Sequence, residues 1–294
     1  MSILEKIIDE KYIGKEYNPI KIQDIFSSSY NQKVSTNKNE VLLIVDPQRD
    51  FIDIEKGTLA VNGATNDIKN IIHFIYNNLE SLSNIYITLD THYYDSIFFE
   101  CLWRDKNNNR VLPFTEVTLE KIENNEIIPI YKDLQTEYVR LLKKQNSNNL
   151  IIWPYHCLYL TDGWLIEKQL SNMLLYFESV KGVHTKKIIK GLDKFTEMYG
   201  AILPEVISSS NNDYDTKWVE ELVHYDKIYI CGEAKDYCLY TTIKQFCEIY
   251  KDNKDITEKL YVMMNCSSSI ISEENSLKMY NELVGKYSIN LINV

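Results

Sequence analysis

The chain has no basic tract, no apolar run long enough to span a membrane, and no pairs of cysteines at zinc-finger spacing. Each absence excludes a class of function. The lysines are interspersed with acids and the formal net charge is −10, so neither nucleic acid nor an anionic membrane surface is an expected partner. No apolar stretch approaches the length of a transmembrane helix. The opening residues MSILEKIIDEKYIGKEYN carry acids throughout and lack a continuous apolar core, so they do not read as a secretory signal. The six cysteines are therefore expected to be reduced thiols of a cytoplasmic protein, not a disulfide framework. No internal repeat is visible.

What is present suits a soluble α/β enzyme. At 294 residues with 45% hydrophobic and 25% charged residues, the chain can bury one sizeable core. Short continuous apolar runs, VLLIVD (41–46), NIYITLD (84–90), KKIIK (186–190), KIYIC (227–231) and KLYVMMN (259–265), read as buried strands, and SINLINV (288–294) as a further one. Continuous rather than alternating runs suit a parallel sheet covered on both faces. Helical spacing recurs between them at 64–82, 161–177, 216–225, 237–251 and 272–287, with Thr65 or Asn66 as a cap for the first. The alternation predicts an α/β/α sandwich with a mostly parallel, doubly wound central sheet. Residues 1–40 read as an N-terminal arm and linker, and 41–294 as one domain. Residues 100–150 interrupt its rhythm as an insertion. Within that insertion Leu134, Tyr138, Leu141 and Leu142 share one helical face, suited to covering a site or meeting another subunit, so assembly is open between monomer and homo-oligomer.

In an open α/β sheet, ligands bind at the carboxyl ends of the strands. The reactive residues at those ends are Asp46, Asp90, His92 and Lys190, with Cys238 in the stretch after KIYIC. Each alone has an ordinary explanation. An aspartate after a strand is commonly a turn former, Lys190 sits among Lys181, Lys186, Lys187 and Lys194, and most cysteines are small buried residues. Asp90 and His92, two apart, would point to one face of a strand. With His156 of WPYHC they make a carboxylate and two imidazoles, a donor set suited to zinc, iron or manganese.

Taken in order, these motifs resemble the nicotinamidases of the isochorismatase-like cysteine hydrolase superfamily. The elements are DPQRDF (46–51), DTH (90–92), WPYHC (153–157) with TDG (161–163), KG (190–191) with MYGA (198–201), and GEAKDYC (232–238). The resemblance spans roughly residues 41 to 265. It implies a metal-dependent amidohydrolase acting on a small amide such as nicotinamide. Asp46, Lys190 and Cys238 would form the catalytic triad, and Asp90, His92 and His156 would hold one divalent metal, zinc foremost, with Ser96 in its second shell. Phe51, Trp153 and Tyr199 would line the substrate pocket. The backbone N–H groups of Ala234 and Cys238 would form the oxyanion hole, and the Glu233–Ala234 peptide bond would be cis.

Physical chemistry accords with those roles. A thiol is a weak nucleophile until ionised, and a helix N-terminus and a nearby Lys190 both favour the thiolate. Asp46 is placed to take the thiol proton. The chain departs from the pattern at Pro47, at Glu233 beside the oxyanion loop, at MYGA, and in the length of the insertion. A related hydrolase of another small amide and a catalytically silent binding protein are the alternatives. Isochorismatase itself, which lacks the nucleophile, is disfavoured by Cys238.

Overall fold

The computed structural model describes residues 2–30, 32–145, 147–207 and 216–294. Asn31 of the predicted linker and Asn146 of a predicted loop lie outside the described residues. Six parallel strands form the central sheet: β1 (Glu40–Val45), β2 (Leu82–Asp90), β3 (Lys186–Lys190), β4 (Lys227–Gly232), β5 (Leu260–Met263) and β6 (Asn290–Ile292). Their order is β6-β5-β4-β1-β2-β3. The chain thus starts at the centre, winds outward to β3, then crosses back to β4 and winds the other way. β1 is buried at every position, which is why its sequence after Glu40 is uninterruptedly apolar.

The longer helices that precede and join the strands, with the short α1 and α6, are α1 (Ile3–Ile7), α2 (Ile22–Ser29), α3 (Ala64–Asn77), α4 (Lys132–Lys144), α5 (Lys168–Lys181), α6 (Lys217–Leu222), α7 (Tyr240–Ile249) and α8 (Glu273–Tyr287). α3 packs on α5, and α7 on α8. Right-handed crossovers on either side of the reversal between β1 and β4 put these pairs on opposite faces, giving the three-layer α/β/α sandwich. α1 and α2 lie on α5 and bury Ile7 and Ile25 against it. No helix among the described residues is long and apolar enough to cross a membrane.

Several local expectations need correction. α3 is entered from Gly63 in the left-handed conformation, so Thr65 and Asn66 lie inside its first turn and do not cap it. α5 begins at Lys168, with the Glu167 carboxylate capping Leu170 N–H at 2.7 Å. Residues 161–167 instead make a turn in which Trp164 N–H donates to the Thr161 carbonyl and Leu165 N–H to the Asp162 carbonyl, both at 3.2 Å. β3 is an edge strand, not a buried one: Lys186, Lys187 and Ile189 are exposed and only Lys190 is buried. Lysines on an edge strand discourage pairing with another sheet. In α4 the buried face is Gln135, Tyr138, Val139 and Leu142, while Leu134 is 40% exposed. The Gln135 amide donates to the Leu102 carbonyl at 2.9 Å from that face.

The insertion builds two short antiparallel pairings, Trp103–Asp105 with Ile127–Pro129 and Glu116–Val117 with Leu150–Ile151. α4 then reaches the loop after β3, where Tyr138 Oη accepts the Glu197 N–H at 3.0 Å.

Candidate active site

The reversal in strand order places the ends of β1 and β4 side by side, with β2 and β3 next in line. Asp46 follows β1, Asp90 ends β2, Lys190 ends β3, and Cys238 comes six residues after the last residue of β4. Four side chains distant in sequence therefore meet at one sheet edge.

Lys190 is the hub. Its Nζ lies 3.1 Å from Asp46 Oδ2, 2.9 Å from Asp90 Oδ1, 2.9 Å from the Met198 carbonyl and 3.6 Å from Cys238 Sγ. All four groups are buried. Burial works to neutralise the lysine, but the Asp46 and Asp90 carboxylates outweigh it and hold the ammonium well above its usual range. Burial likewise pushes the Asp46 carboxyl up, against the opposing pull of Lys190. Thr88 orients Asp46 from β2: its hydroxyl donates to Asp46 Oδ1 and accepts the Asp46 N–H.

The Cys238 thiol differs from the sequence expectation. It does not begin a regular helix but lies in a wide helical turn, Lys235–Leu239, that leads into α7. Burial pushes its proton affinity well up, and Asp46 and Asp90 add to that while Lys190 opposes it. The resting group is a neutral thiol, so a base rather than a standing thiolate must start any attack. Cys231 sits buried in β4 with Sγ 4.0 Å from the Leu43 carbonyl, a packing role. All six cysteines are free.

Asp90, His92 and His156 form the second constellation. One ligand atom from each lies within 4.8 Å of the others, and all three residues are buried. His92 Nε2 is 2.7 Å and His156 Nε2 3.5 Å from Asp90 Oδ2. His156 Nδ1 donates to the Pro154 carbonyl at 2.8 Å, which leaves Nε2 with its lone pair facing Asp90. Burial pushes the His92 imidazole toward its neutral, ligating form. Burial would raise Asp90, but the Lys190 ammonium and the hydrogen bond from His92 overcome it and hold the carboxyl well below its usual range. Two imidazoles and an anionic carboxylate converging in a buried site fit a divalent cation. Ser96, also buried, donates its hydroxyl to the Tyr93 carbonyl at 2.9 Å.

A narrow pocket joins the two constellations, and Phe51, Trp153, Tyr199, Ala234 and Cys238 all line it. The Trp153 indole N–H donates to Tyr199 Oη at 3.0 Å, and Phe51 stacks obliquely on His156 at 5.6 Å between ring centres. The Glu233–Ala234 bond is cis. Sequence reasoning missed four further lining residues, Leu59, Glu197, Tyr237 and Ile270. Glu197 is a buried carboxyl that burial pushes well up, and its Oε1 accepts only the neighbouring Met198 N–H at 2.9 Å among the described bonds. Its position seven residues past Lys190 offered no periodic signal.

Other motif residues hold the backbone. Gln48 exchanges two bonds with Asp90, its amide donating to the Asp90 carbonyl and accepting the Asp90 N–H, both at 2.7 Å. The Asp50 carboxylate accepts Cys157 N–H at 2.7 Å, which fixes the turn carrying His156. Gly163 packs directly on that carboxylate, where a Cβ would fall 2.1 Å from Oδ2. Gly200, the departure in MYGA, meets the Gln245 amide in the same way, with 2.2 Å from a Cβ position to Oε1.

No protein-family model matches the chain. The curated nicotinamidase of Saccharomyces cerevisiae is 23% identical over 254 residues, covering 86% of this chain and 99% of that protein. The crystal structure of yeast nicotinamidase bound to the inhibitor nicotinaldehyde superposes with a TM-score of 0.61 at 21% identity, covering 87% of this chain and all of that one. An Acinetobacter baumanii nicotinamidase/pyrazinamidase gives 0.58 at 18% identity, covering 87% and 96% of the two chains. Pyrococcus horikoshii pyrazinamidase, solved with zinc, gives 0.52 at 17% identity, covering 87% and 99%. The chain thus has the isochorismatase-like fold that these solved enzymes share.

Proposed function

We propose that this protein is a metal-dependent cysteine amidohydrolase of the nicotinamidase type, converting nicotinamide and water to nicotinate and ammonia. The observation that carries this reading is the single Lys190 ammonium 3.1 Å from Asp46 and 3.6 Å from Cys238, the cysteine that lines an aromatic pocket. The likeness to yeast nicotinamidase along nearly its whole length supports it.

In this reading Asp46 takes the Cys238 proton as the sulfur attacks the amide carbonyl. Lys190 stabilises the charge that forms on sulfur. The C=O electrons move to oxygen, and the N–H groups of Ala234 and Cys238 receive that oxyanion, a donor typically contributing about 3 kcal/mol. When the tetrahedral species collapses, the C–N bond breaks, Asp46 returns its proton to nitrogen, and ammonia leaves a thioester. Asp46 then deprotonates a water that attacks the thioester, freeing the acid and restoring the thiol. Asp90, His92 and His156 would hold a divalent cation that supplies a positive anchor for a ring nitrogen. Phe51, Trp153 and Tyr199 enclose the ring, and Ser96 supports the metal site from behind. The same reading takes residues 41–294 as the hydrolase domain, residues 1–40 as its N-terminal arm, and the cytoplasm as its setting.

Purified protein should release ammonia from nicotinamide, and Cys238→Ala should lower the rate at least about a thousandfold while leaving the fold intact. Hydrolysis of other small amides but not nicotinamide would instead favour the related-amidase reading, which the Glu197 carboxyl in the pocket already gives some footing. No hydrolysis of any amide with zinc, iron or manganese supplied would sink both.

A further inference from the structure

Two carboxyl groups meet behind the pocket, outside the candidate catalytic set. Glu233 opens the loop that leads to Cys238, and Asp67 lies in the first turn of α3. Both are buried, Glu233 to 1% exposure. One serine bonds to both of their carboxyl groups, which places the two close together. Ser268 spans them: its N–H donates to Glu233 Oε2 at 3.2 Å and its hydroxyl donates to Asp67 Oδ2. The other oxygen, Glu233 Oε1, is buried and receives no donor from the described residues.

Two ionised carboxylates bridged by one serine in a buried site cannot escape strong mutual repulsion. Nor does a buried carboxylate oxygen persist cheaply without a donor. One proton held between the two groups removes both difficulties. The surroundings agree. Lys235 acts weakly on both carboxyls but spends its charge on Glu273 of α8, at 2.6 Å. Cys231 of β4 and Cys266 after β5 face the same pocket of charge, and burial keeps both thiols neutral. Burial also pushes both carboxyls up, Glu233 the further.

We propose that Glu233 and Asp67 share one proton, and that the pair positions the loop bearing Ala234 and Cys238 while leaving only one negative charge behind it. The catalytic half of this inference rests on the amidase reading above. The loop is gripped as a unit. Lys235 N–H donates to the Ser268 carbonyl at 2.9 Å, on the far side of the residue that Glu233 holds. The Asp236 carboxylate accepts Ile270 N–H at 3.0 Å and Ile271 N–H at 2.8 Å, and Ile270 lines the pocket. Asp67 ties this assembly to α3 through Ser268. A second negative charge beside Ala234 would oppose an oxyanion forming at its N–H, whereas a neutral Glu233 does not. The acidic residue in this loop is thereby compatible with the chemistry next to it.

The tests are a carbon-13 NMR titration of the Glu and Asp side-chain carboxyls in the wild-type protein and kinetics of two variants. One of the two carboxyls should keep its proton at neutral pH, the pair titrating as a coupled unit. Finding both fully ionised at neutral pH overturns the proposal. Glu233→Gln preserves a donor toward Asp67 and an acceptor for Ser268, so kcat should stay within about threefold. Glu233→Ala should lower kcat about tenfold or more with a smaller change in KM, since a displaced loop harms transition-state geometry most. Equal damage in both variants, or wild-type kcat in Glu233→Ala, overturns the positioning role. If Glu233→Ala does not fold, the Gln variant and the titration still decide. Wild-type inactivity on every amide would overturn the amidase reading alone, because the titration does not depend on turnover.

Discussion

The Lys190 ammonium lies 2.9 Å from Asp90 Oδ1 and so links the candidate nucleophile's surroundings to the candidate metal site. Asp90 faces Lys190 with one oxygen and the two histidines with the other. Lys190 thereby neutralises two buried carboxylates at once, Asp46 and Asp90, and a change at this one residue should be felt by both constellations.

Lys190→Met should therefore cost more than activity. It leaves Asp46 and Asp90 buried without their cation, and breaking such an ion pair from one side typically destabilises by about 3–5 kcal/mol. Urea unfolding of the variant should show a lower midpoint with an unchanged slope, together with loss of ammonia release. An unchanged midpoint would mean that the lysine is not the charge that stabilises these two acids.

Metal content should follow the donor set. Protein dialysed against a chelator and reloaded with zinc should bind about one equivalent by elemental analysis. His156→Ala should weaken that binding at least about tenfold. Undiminished zinc in the variant would place the ion elsewhere.

Glu197 gives a pH signature. Burial holds its folded-state pKa above the unfolded value of about 4.3. The folded state then binds the proton more tightly, so its contribution to stability is full below the unfolded pKa and is lost as pH rises through the folded pKa. Glu197→Gln removes this dependence. Relative to wild type, the variant should gain up to about 1.4 kcal/mol per pH unit between about pH 5 and the folded-state pKa, level off above it, and gain little below about pH 4. Unfolding curves at several pH values read this directly, and parallel stability profiles for the two proteins would contradict it.

Gly163→Ala probes the close approach to Asp50. The added Cβ would fall 2.1 Å from a carboxylate oxygen that also anchors Cys157 N–H. Overpacking of this kind costs about 1–3 kcal/mol. Thermal unfolding should show that loss, with weaker metal retention because the turn carrying His156 shifts. A neutral substitution would show that the turn has slack.

Much of this protein is readable along the chain. Strands β1, β2, β4 and β5 announce themselves because a central parallel strand is buried on both faces and is therefore largely apolar. The reactive residues are legible because they follow those runs directly, in motifs whose order resembles known hydrolases. β3 was misjudged as buried because KKIIK has the same apolar kernel, and only its place at the sheet edge exposes the lysines. Strand order, and with it the meeting of Asp46, Asp90, Lys190 and Cys238, is a property of pairings between residues far apart in sequence.

The same holds for electrostatics. The chain specifies which groups can ionise, but burial and neighbours decide which do. Cys238 looked activated by a helix end and a lysine, yet desolvation and two carboxylates leave it a thiol awaiting a base. Glu233 looked like a stray charge, yet it folds against Asp67 and Ser268 where a shared proton is the consistent state. Residue types and local spacing determined the elements and the candidate chemistry. Tertiary structure alone set the dielectric and the charged neighbours of each group, because those depend on which distant segments pack against it.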